Sequence, residues 1–256
     1  MNIVTVSAEV APWSKVGGLG DVMGALPIAL AERGHRVMSV SPRYAEYPDA
    51  WDTRQYVDVT LFDQKHRVGF HHVKARGVDR VFLAHPCFLR DGIYGDTHGA
   101  YADNQFRYAL LSRVAIEAAR HLELDGSPYG EEVAFSVNDW HTALVPLFLD
   151  ALYRPVGLFP RATALLAIHN LAHQGVFGDH TFAGLDLPLR WASQLDMHGV
   201  LNTLKGGLVT ADRLLTVSPS YAEEIQTPTH GFGLDGLLRA RSDHLHGILN
   251  GIDTQA

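Results

Sequence analysis

Apolar positions along this chain fall into short β-prone runs separated by longer stretches at helical spacing. Ile3, Val4 and Val6 begin a strand that runs toward Glu9, and Leu19, Val22, Met23, Leu26, Ala29 and Leu30 recur at helical intervals over 19–33. Gly34 reads as the stop of that helix, and Val37, Met38 and Val40 make a second strand closed by Pro42. Strand, helix and strand within about forty residues form a βαβ unit, which implies a parallel sheet. Between 56 and 84 the pattern changes. Strand-like runs at 56–61, 68–73 and 80–83 follow one another without a helix, which predicts hairpins that carry the chain to a sheet edge.

Residues 91–102, with Tyr94 and Tyr101, read as a loop, and Asp103 with Asn104 is expected to cap a helix striped by Phe106, Leu110, Val114 and Ala118. A buried strand over 133–137 ends at Asn138-Asp139-Trp140-His141, and a helix is expected at 142–153. The grammar then repeats: a strand at 162–168 ends at His169-Asn170, and a polar excursion covers 171–196. A helix is predicted over 200–211 and a strand over 213–217. Ser218-Pro219 opens a further helix, a short helix covers 236–239, and a last strand over 245–249 ends at Asn250. These elements predict one α/β domain over 1–256, a Rossmann-like parallel sheet with flanking helices and a small β-hairpin insertion.

In an open parallel sheet, ligands bind beyond the carboxyl ends of the strands. Glu9, Asp139, His169, Ser218 and Asn250 all follow strands here, so their positions converge on one rim. For Ser218 and Asn250 a plain turn explains the residue type equally well, because turns favour Ser and Asn. Trp140 and the histidines His141 and His169 are not turn-formers. The glycine-rich stretch Ser14-Lys15-Val16-Gly17-Gly18-Leu19-Gly20-Asp21 joins the first strand to the first helix. Glycines at such a junction let backbone amides approach an anion, the helix end adds partial positive charge, and Lys15 supplies a full one. A dinucleotide fingerprint fits poorly, since Gly18, Gly20 and Gly24 are spaced one residue too far and a long loop precedes them. A Walker loop requires its lysine after the glycines. A flexible surface loop remains the alternative.

Composition narrows the classes. With 256 residues and a formal net charge of −7, the chain offers no basic field for nucleic acid or an anionic membrane. Cys87 is the single cysteine, so neither an internal disulfide nor a cysteine-based zinc site is available. The 15 histidines are scattered, and His169 with His173 lacks a nearby acidic third ligand, so no metal site is expected. No apolar run reaches the length of a membrane span, and the first residues lead into a strand rather than a secretory signal. What remains is a phosphate-holding loop beside an acid, histidines, amides and aromatics, which suits a nucleotide-sugar or sugar-phosphate ligand.

Lys15-Val16-Gly17-Gly18-Leu19 resembles the K-x-G-G-L motif of bacterial glycogen synthases and plant starch synthases, ADP-glucose-dependent α-1,4-glucosyltransferases of the GT-B fold. Asn138-Asp139-Trp140-His141, His169-Asn170-Leu171-Ala172-His173-Gln174-Gly175, Val217-Ser218-Pro219 and Leu249-Asn250-Gly251-Ile252-Asp253 stand in the family's order. Gly34-His35-Arg36-Val37-Met38 and Pro42-Arg43-Tyr44 are closest to the granule-bound starch synthase branch.

The resemblance implies a retaining transfer of glucose from ADP-glucose to an α-1,4-glucan or maltooligosaccharide, without a cofactor or metal. It implies catalytic roles for Lys15, Asp139 and His169. It implies substrate contacts from Gly17, Gly18, Asp21, Tyr94, Trp140, His141, Asn170, Gln174, Asn250 and Asp253. Between Asp196 and Lys205 the chain departs from the family, carrying a shortened Met197-His198-Gly199-Val200-Leu201-Asn202. The family's second, nucleotide-binding GT-B domain is expected beyond Asp253, so these residues alone would form the N-terminal, acceptor-side half and show little transferase activity. A plastid or bacterial cytoplasmic setting is expected, not a secreted one. A non-catalytic glucan-binding module is the rival reading. A nicotinamide-dependent oxidoreductase is disfavoured, because Val40 is followed by Ser41-Pro42 where an acidic residue would bind ribose.

Overall fold

The computed structural model describes residues 1–251; Asp253, expected among the substrate contacts, lies outside the described residues. The first unit is β1 (Asn2–Val6), α1 (Gly18–Glu32) and β2 (Arg36–Pro42), as the periodicity predicts. Strands β3 (Trp51–Leu61), β4 (Gln64–Ala75) and β5 (Val78–Ala84) follow without a helix. A two-stranded ribbon, β6 (Gly95–Asp96) and β7 (Gly99–Ala100), lies inside the stretch expected to be loop. Then come α2 (Asn104–His121), β8 (Val133–Asn138), α3 (Asp139–Thr142), α4 (Leu144–Phe148) and β9 (Thr163–Ile168). The last part holds β10 (Val176–Gly178), α5 (Ala192–Leu195), β11 (Asp196–Met197), β12 (Val200–Asn202), α6 (Thr203–Thr210), β13 (Arg213–Thr216), α7 (Pro219–Glu224), α8 (Asp235–Ala240) and β14 (Leu245–Gly247).

Nine strands form one sheet in the order β14-β13-β9-β8-β1-β2-β5-β4-β3. Every neighbouring pair from β14 to β5 is parallel. The β5-β4 and β4-β3 pairs are antiparallel, so the expected hairpins extend the main sheet to its edge, starting earlier than expected at Trp51. Strand order reverses at β1, with β2 on one side and β8 on the other. That topological switch point is where an open α/β sheet leaves a crevice for ligand.

Alternation along the strands divides the core between the two faces. Val4, Val6, Met38, Val40, Phe135 and Leu166 enter the large core, which also holds Leu110, Val114 and Ala118 of α2. Ile3 and Val37 face the other way, where Ile28, Leu30 and Ala31 of α1 cover them. Helix α1 contains Pro27, which has no N–H to give the carbonyl of Met23 one turn earlier. Buried Arg80 supplies that donor from β5, with Nη1 to the Met23 carbonyl at 2.8 Å and Nη2 to the Gly24 carbonyl at 2.7 Å.

Three local expectations are corrected. Asp103 does not cap α2 with its side chain: its carboxylate pairs with Arg90, and Asn104 Oδ1 accepts from Arg107 instead. The helix expected at 142–153 begins at Asp139 and breaks into short turns, since Pro146 cannot donate to the Thr142 carbonyl. The segment 200–211 opens as strand β12, paired with β10 and β11, and becomes helical only at Thr203. Asn202 decides that boundary, because its side chain accepts from the Lys205 amide at 2.9 Å and caps α6. Ser218 caps α7 in the same way through the Tyr221 amide, as its position before Pro219 predicts.

Candidate active site

The ends of β1, β8 and β9 bring the predicted rim together. Asp139 directly follows β8 with φ of +53°, a left-handed conformation that a non-glycine residue adopts at a cost of about 1–2 kcal/mol. Its carboxylate compensates by latching onto the next strand end. Oδ1 accepts from the His169 amide at 2.7 Å and the Asn170 amide at 3.3 Å. Both bonds use one oxygen, so Oδ2 keeps its acceptor capacity. Burial raises the pKa of Asp139, and His169 together with the two amides works against that rise.

His169 is oriented by its neighbour on β8. Asn138 donates through Nδ2 to the Val6 carbonyl at 2.9 Å, which turns Oδ1 toward His169 Nε2 at 2.9 Å. An amide oxygen only accepts, so Nε2 is the donor of this bond, and in the neutral ring Nδ1 is the acceptor. A cleft of about 590 Å³ opens along this face of the sheet between α1 and the segment after β14. Asp21, Asn138, His169, Thr216 and Asn250 line it with aliphatic residues of α1, β9 and β13. Three expected residues, Asp21, His169 and Asn250, thus share one cleft. Lys15 reaches its rim, with Nζ 2.7 Å from Asp21 Oδ1. Both side chains are about half exposed, so this pair holds the ammonium weakly and an anion can take it.

The glycine loop departs from expectation in one respect. The Val16 and Gly17 amides do not point at open space; Glu9 Oε2 accepts both, at 2.6 and 3.0 Å. Buried Glu9 takes a third bond on Oε1 from the Tyr94 hydroxyl at 2.5 Å. An arriving anion therefore meets Lys15 and the loop from Gly18 onward, not those two amides. Burial and the Glu9 bond push the Tyr94 hydroxyl well above the usual phenol range.

The remaining aromatics pack inward. The His141 ring lies 4.2 Å from Trp140, 4.8 Å from Tyr94 and 4.7 Å from Tyr108, centroid to centroid. Burial, with help from His173 and Arg107, lowers its pKa to about 3, so the ring is neutral. Trp140 also meets Phe177 and lies so close to Gly175 that a Cβ there would stand 2.2 Å from the indole. Gln174 is tied inside the chain, donating to the Leu171 and Phe232 carbonyls and accepting from Asn202 at 2.6 Å. Asn170 is exposed and its Oδ1 closes a local turn on the Ala172 amide. Gly17 and Gly18 are exposed with no neighbour where a Cβ would project.

Sequence reasoning missed the orienting role of Asn138, the grip of Glu9 on the loop, and the Gln174–Asn202 tie. Only Glu9 had a readable signal, an acid placed just ahead of a glycine-rich turn. Among the described residues, no group of three or more His, Cys, Asp or Glu is arranged to hold a metal ion, and no helix is long and apolar enough to cross a membrane.

A parallel sheet with a strand-order switch at β1, and a cleft lined by Asp21, His169 and Asn250 with Lys15 at its rim, defines a Rossmann-like α/β domain with a ligand cleft. Residues 2–240 match the family model described as starch synthase catalytic domain, and the chain belongs to that family. It is 49% identical over 273 residues to soluble starch synthase 1, chloroplastic/amyloplastic, of Solanum tuberosum, covering 98% of this chain and 43% of the relative. Identity is 47% over 278 residues to granule-bound starch synthase 1, chloroplastic/amyloplastic, of Manihot esculenta, covering 100% and 45%. Soluble and granule-bound relatives thus match at similar identity. The chain spans less than half the length of these relatives. Among solved structures, the catalytic domain of Starch Synthase IV from Arabidopsis thaliana bound to ADP and acarbose superposes with a TM-score of 0.85 at 29% identity, over 99% of this chain and 52% of that one.

Proposed function

We propose that this chain is the acceptor-side catalytic domain of an enzyme that transfers glucose from ADP-glucose to the non-reducing end of an α-1,4-glucan. The observation that carries this reading is the junction of β8 and β9, where Asp139 holds the His169 amide and Asn138 the His169 ring, beside a cleft whose rim bears the Lys15–Asp21 pair. The ADP and acarbose of the Arabidopsis neighbour support a nucleoside-diphosphate donor and a glucan-like acceptor. The relatives' chloroplastic/amyloplastic names support a plastid setting.

In the mechanism we infer, the anomeric carbon of the donor loses ADP as the glucan hydroxyl oxygen bonds to it, and the hydroxyl proton leaves with the departing diphosphate. Negative charge builds on the departing diphosphate, and Lys15 leaves Asp21 to meet it, where a preplaced cation lowers the barrier most. Asp139 Oδ2 and His169 Nδ1 offer acceptors to the hydroxyls of the transferred sugar, and their rigid latches fix its orientation. Donor contacts from a second domain would close the cleft and exclude water.

The test is transfer of labelled glucose from ADP-glucose to maltooligosaccharide by a full-length protein containing these residues, with Lys15→Ala and Asp139→Asn alongside. Each variant is expected to lose about 10²- to 10³-fold in kcat, the scale for one preplaced group at developing charge. Unchanged turnover in both variants would refute the assignment, and glucan binding without turnover by the wild type would replace it with a binding module.

A further inference from the structure

We infer that Glu9 is a positioning residue: an internal carboxylate that holds the Lys15 loop in the shape that meets the donor, with Tyr94 as its clamp. A loop that presents a lysine to a diphosphate must hold its shape before the ligand arrives, or it spends binding energy on ordering itself. Here the ordering is built in. Glu9 Oε2 accepts from the Val16 and Gly17 amides, and Oε1 accepts from Tyr94, so three donors converge on one buried carboxyl group. Charge-assisted bonds of this kind are roughly twice as strong as neutral ones.

Surrounding bonds leave Glu9 as the control point of the loop. Val10 and Ser14 exchange backbone bonds at 2.8 and 2.9 Å, and the Ala11 amide reaches the Gly20 carbonyl at 3.0 Å, which staples both ends. Between the staples, Val16 and Gly17 find their partner in the Glu9 side chain. Lys15 crosses directly over Gly20, where an added Cβ would lie 2.9 Å from Lys15 Cγ and 3.2 Å from Glu9 Oε2. The stem of the lysine therefore rests beside the same carboxyl group that holds its neighbours. Tyr94 extends the link, since its ring packs on His141, two residues after Asp139. One chain of contacts thus joins the lysine loop, the 91–102 segment and the end of β8.

The consequence for the donor rests on the transferase reading above; the hold on the loop does not. Three variants separate the two. Glu9→Ala removes the acceptor, while Glu9→Gln keeps an oxygen for both amides and turns its amide nitrogen toward Tyr94, whose hydroxyl becomes the acceptor. Tyr94→Phe removes the clamp alone. In the full-length protein, Glu9→Ala is expected to speed hydrogen exchange of the Val16 and Gly17 amides at least about tenfold, with β1 and α2 unchanged. It is expected to lower kcat/KM for ADP-glucose about 10- to 100-fold while leaving the KM for maltooligosaccharide in place. Glu9→Gln, which keeps the acceptor but loses the charge, recovers a large part of both readouts, and Tyr94→Phe falls between Glu9→Ala and the wild type. Unchanged exchange at Val16 and Gly17 in Glu9→Ala would overturn the proposal, as would equal acceleration throughout β1, α1 and β8, which marks general destabilisation. A Glu9→Gln variant as impaired as Glu9→Ala would overturn it too. If the wild type transfers no glucose yet Glu9 still controls exchange in the loop, the transferase reading fails and the hold on the loop stands.

Discussion

Acidification should destabilise this domain through His141, and the size of the effect follows from its surroundings. The ring is buried among Tyr94, Trp140 and Tyr108, and its pKa is lowered to about 3. An unfolded chain protonates the same side chain near pH 6.5. Between those values the unfolded state binds a proton that the folded state refuses, so stability falls as pH drops, by about 1.4 kcal/mol per unit. From neutrality to pH 5 the loss is about 2 kcal/mol, equivalent to about 4–8 °C in Tm for a chain of this size. Other groups titrate over the same range, so the measurement is a difference. Phenylalanine at this position keeps the aromatic packing and cannot take up a proton. Urea unfolding of the wild type and His141→Phe from pH 7.5 to 5 should give curves that diverge by about 2 kcal/mol at the acid end, with the variant the flatter. Parallel pH dependences would refute the reasoning and show that His141 finds a proton partner or solvent in the folded state.

Two further perturbations probe the scaffold beneath the site. Arg80→Met should cost about 1–3 kcal/mol in chemical unfolding, because it leaves the Met23 carbonyl opposite Pro27 unsatisfied inside the protein; no change would mean that water or a shifted helix replaces the guanidinium. Burial already lowers the Arg80 pKa to about 10, a sign that the charge itself is poorly solvated. Gly175→Ala should cost about 1–3 kcal/mol or more, since that residue sits at φ +63° with the Trp140 indole 2.2 Å from the added Cβ. Differential scanning calorimetry reads the loss, and partial recovery in the Gly175→Ala, Trp140→Phe double variant would identify the indole as the obstacle.

Much of the architecture was legible in the chain because it rests on local periodicity. The βαβ opening, the helix-free run that becomes β3, β4 and β5, and the strands ending at Asn138 and Ile168 all follow from apolar spacing. Failures occurred where a side chain overrode the pattern. The stretch 200–211 is apolar enough for one helix, yet Asn202 caps α6 and hands Val200–Asn202 to a small sheet. Asp103 looked like a cap and became the partner of Arg90 instead.

The site divides along the same line. Residue types and their order determined which groups stand after the strands, since a strand must end before a ligand rim can begin; Asp139 and His169 were legible as strand-end groups on that basis, and Lys15 as part of the glycine-rich turn. Tertiary structure alone decided what each does there. Asp139 latches onto the amides of another strand, Asn138 orients His169 across a strand boundary, and Glu9 takes the amides that the glycine pattern offers to an anion. The physical reason is that spacing encodes the direction and burial of a backbone segment, whereas hydrogen-bond partners are chosen among groups far apart in the chain. Glu9 and Tyr94 meet across 85 positions, a contact to which no local window is sensitive.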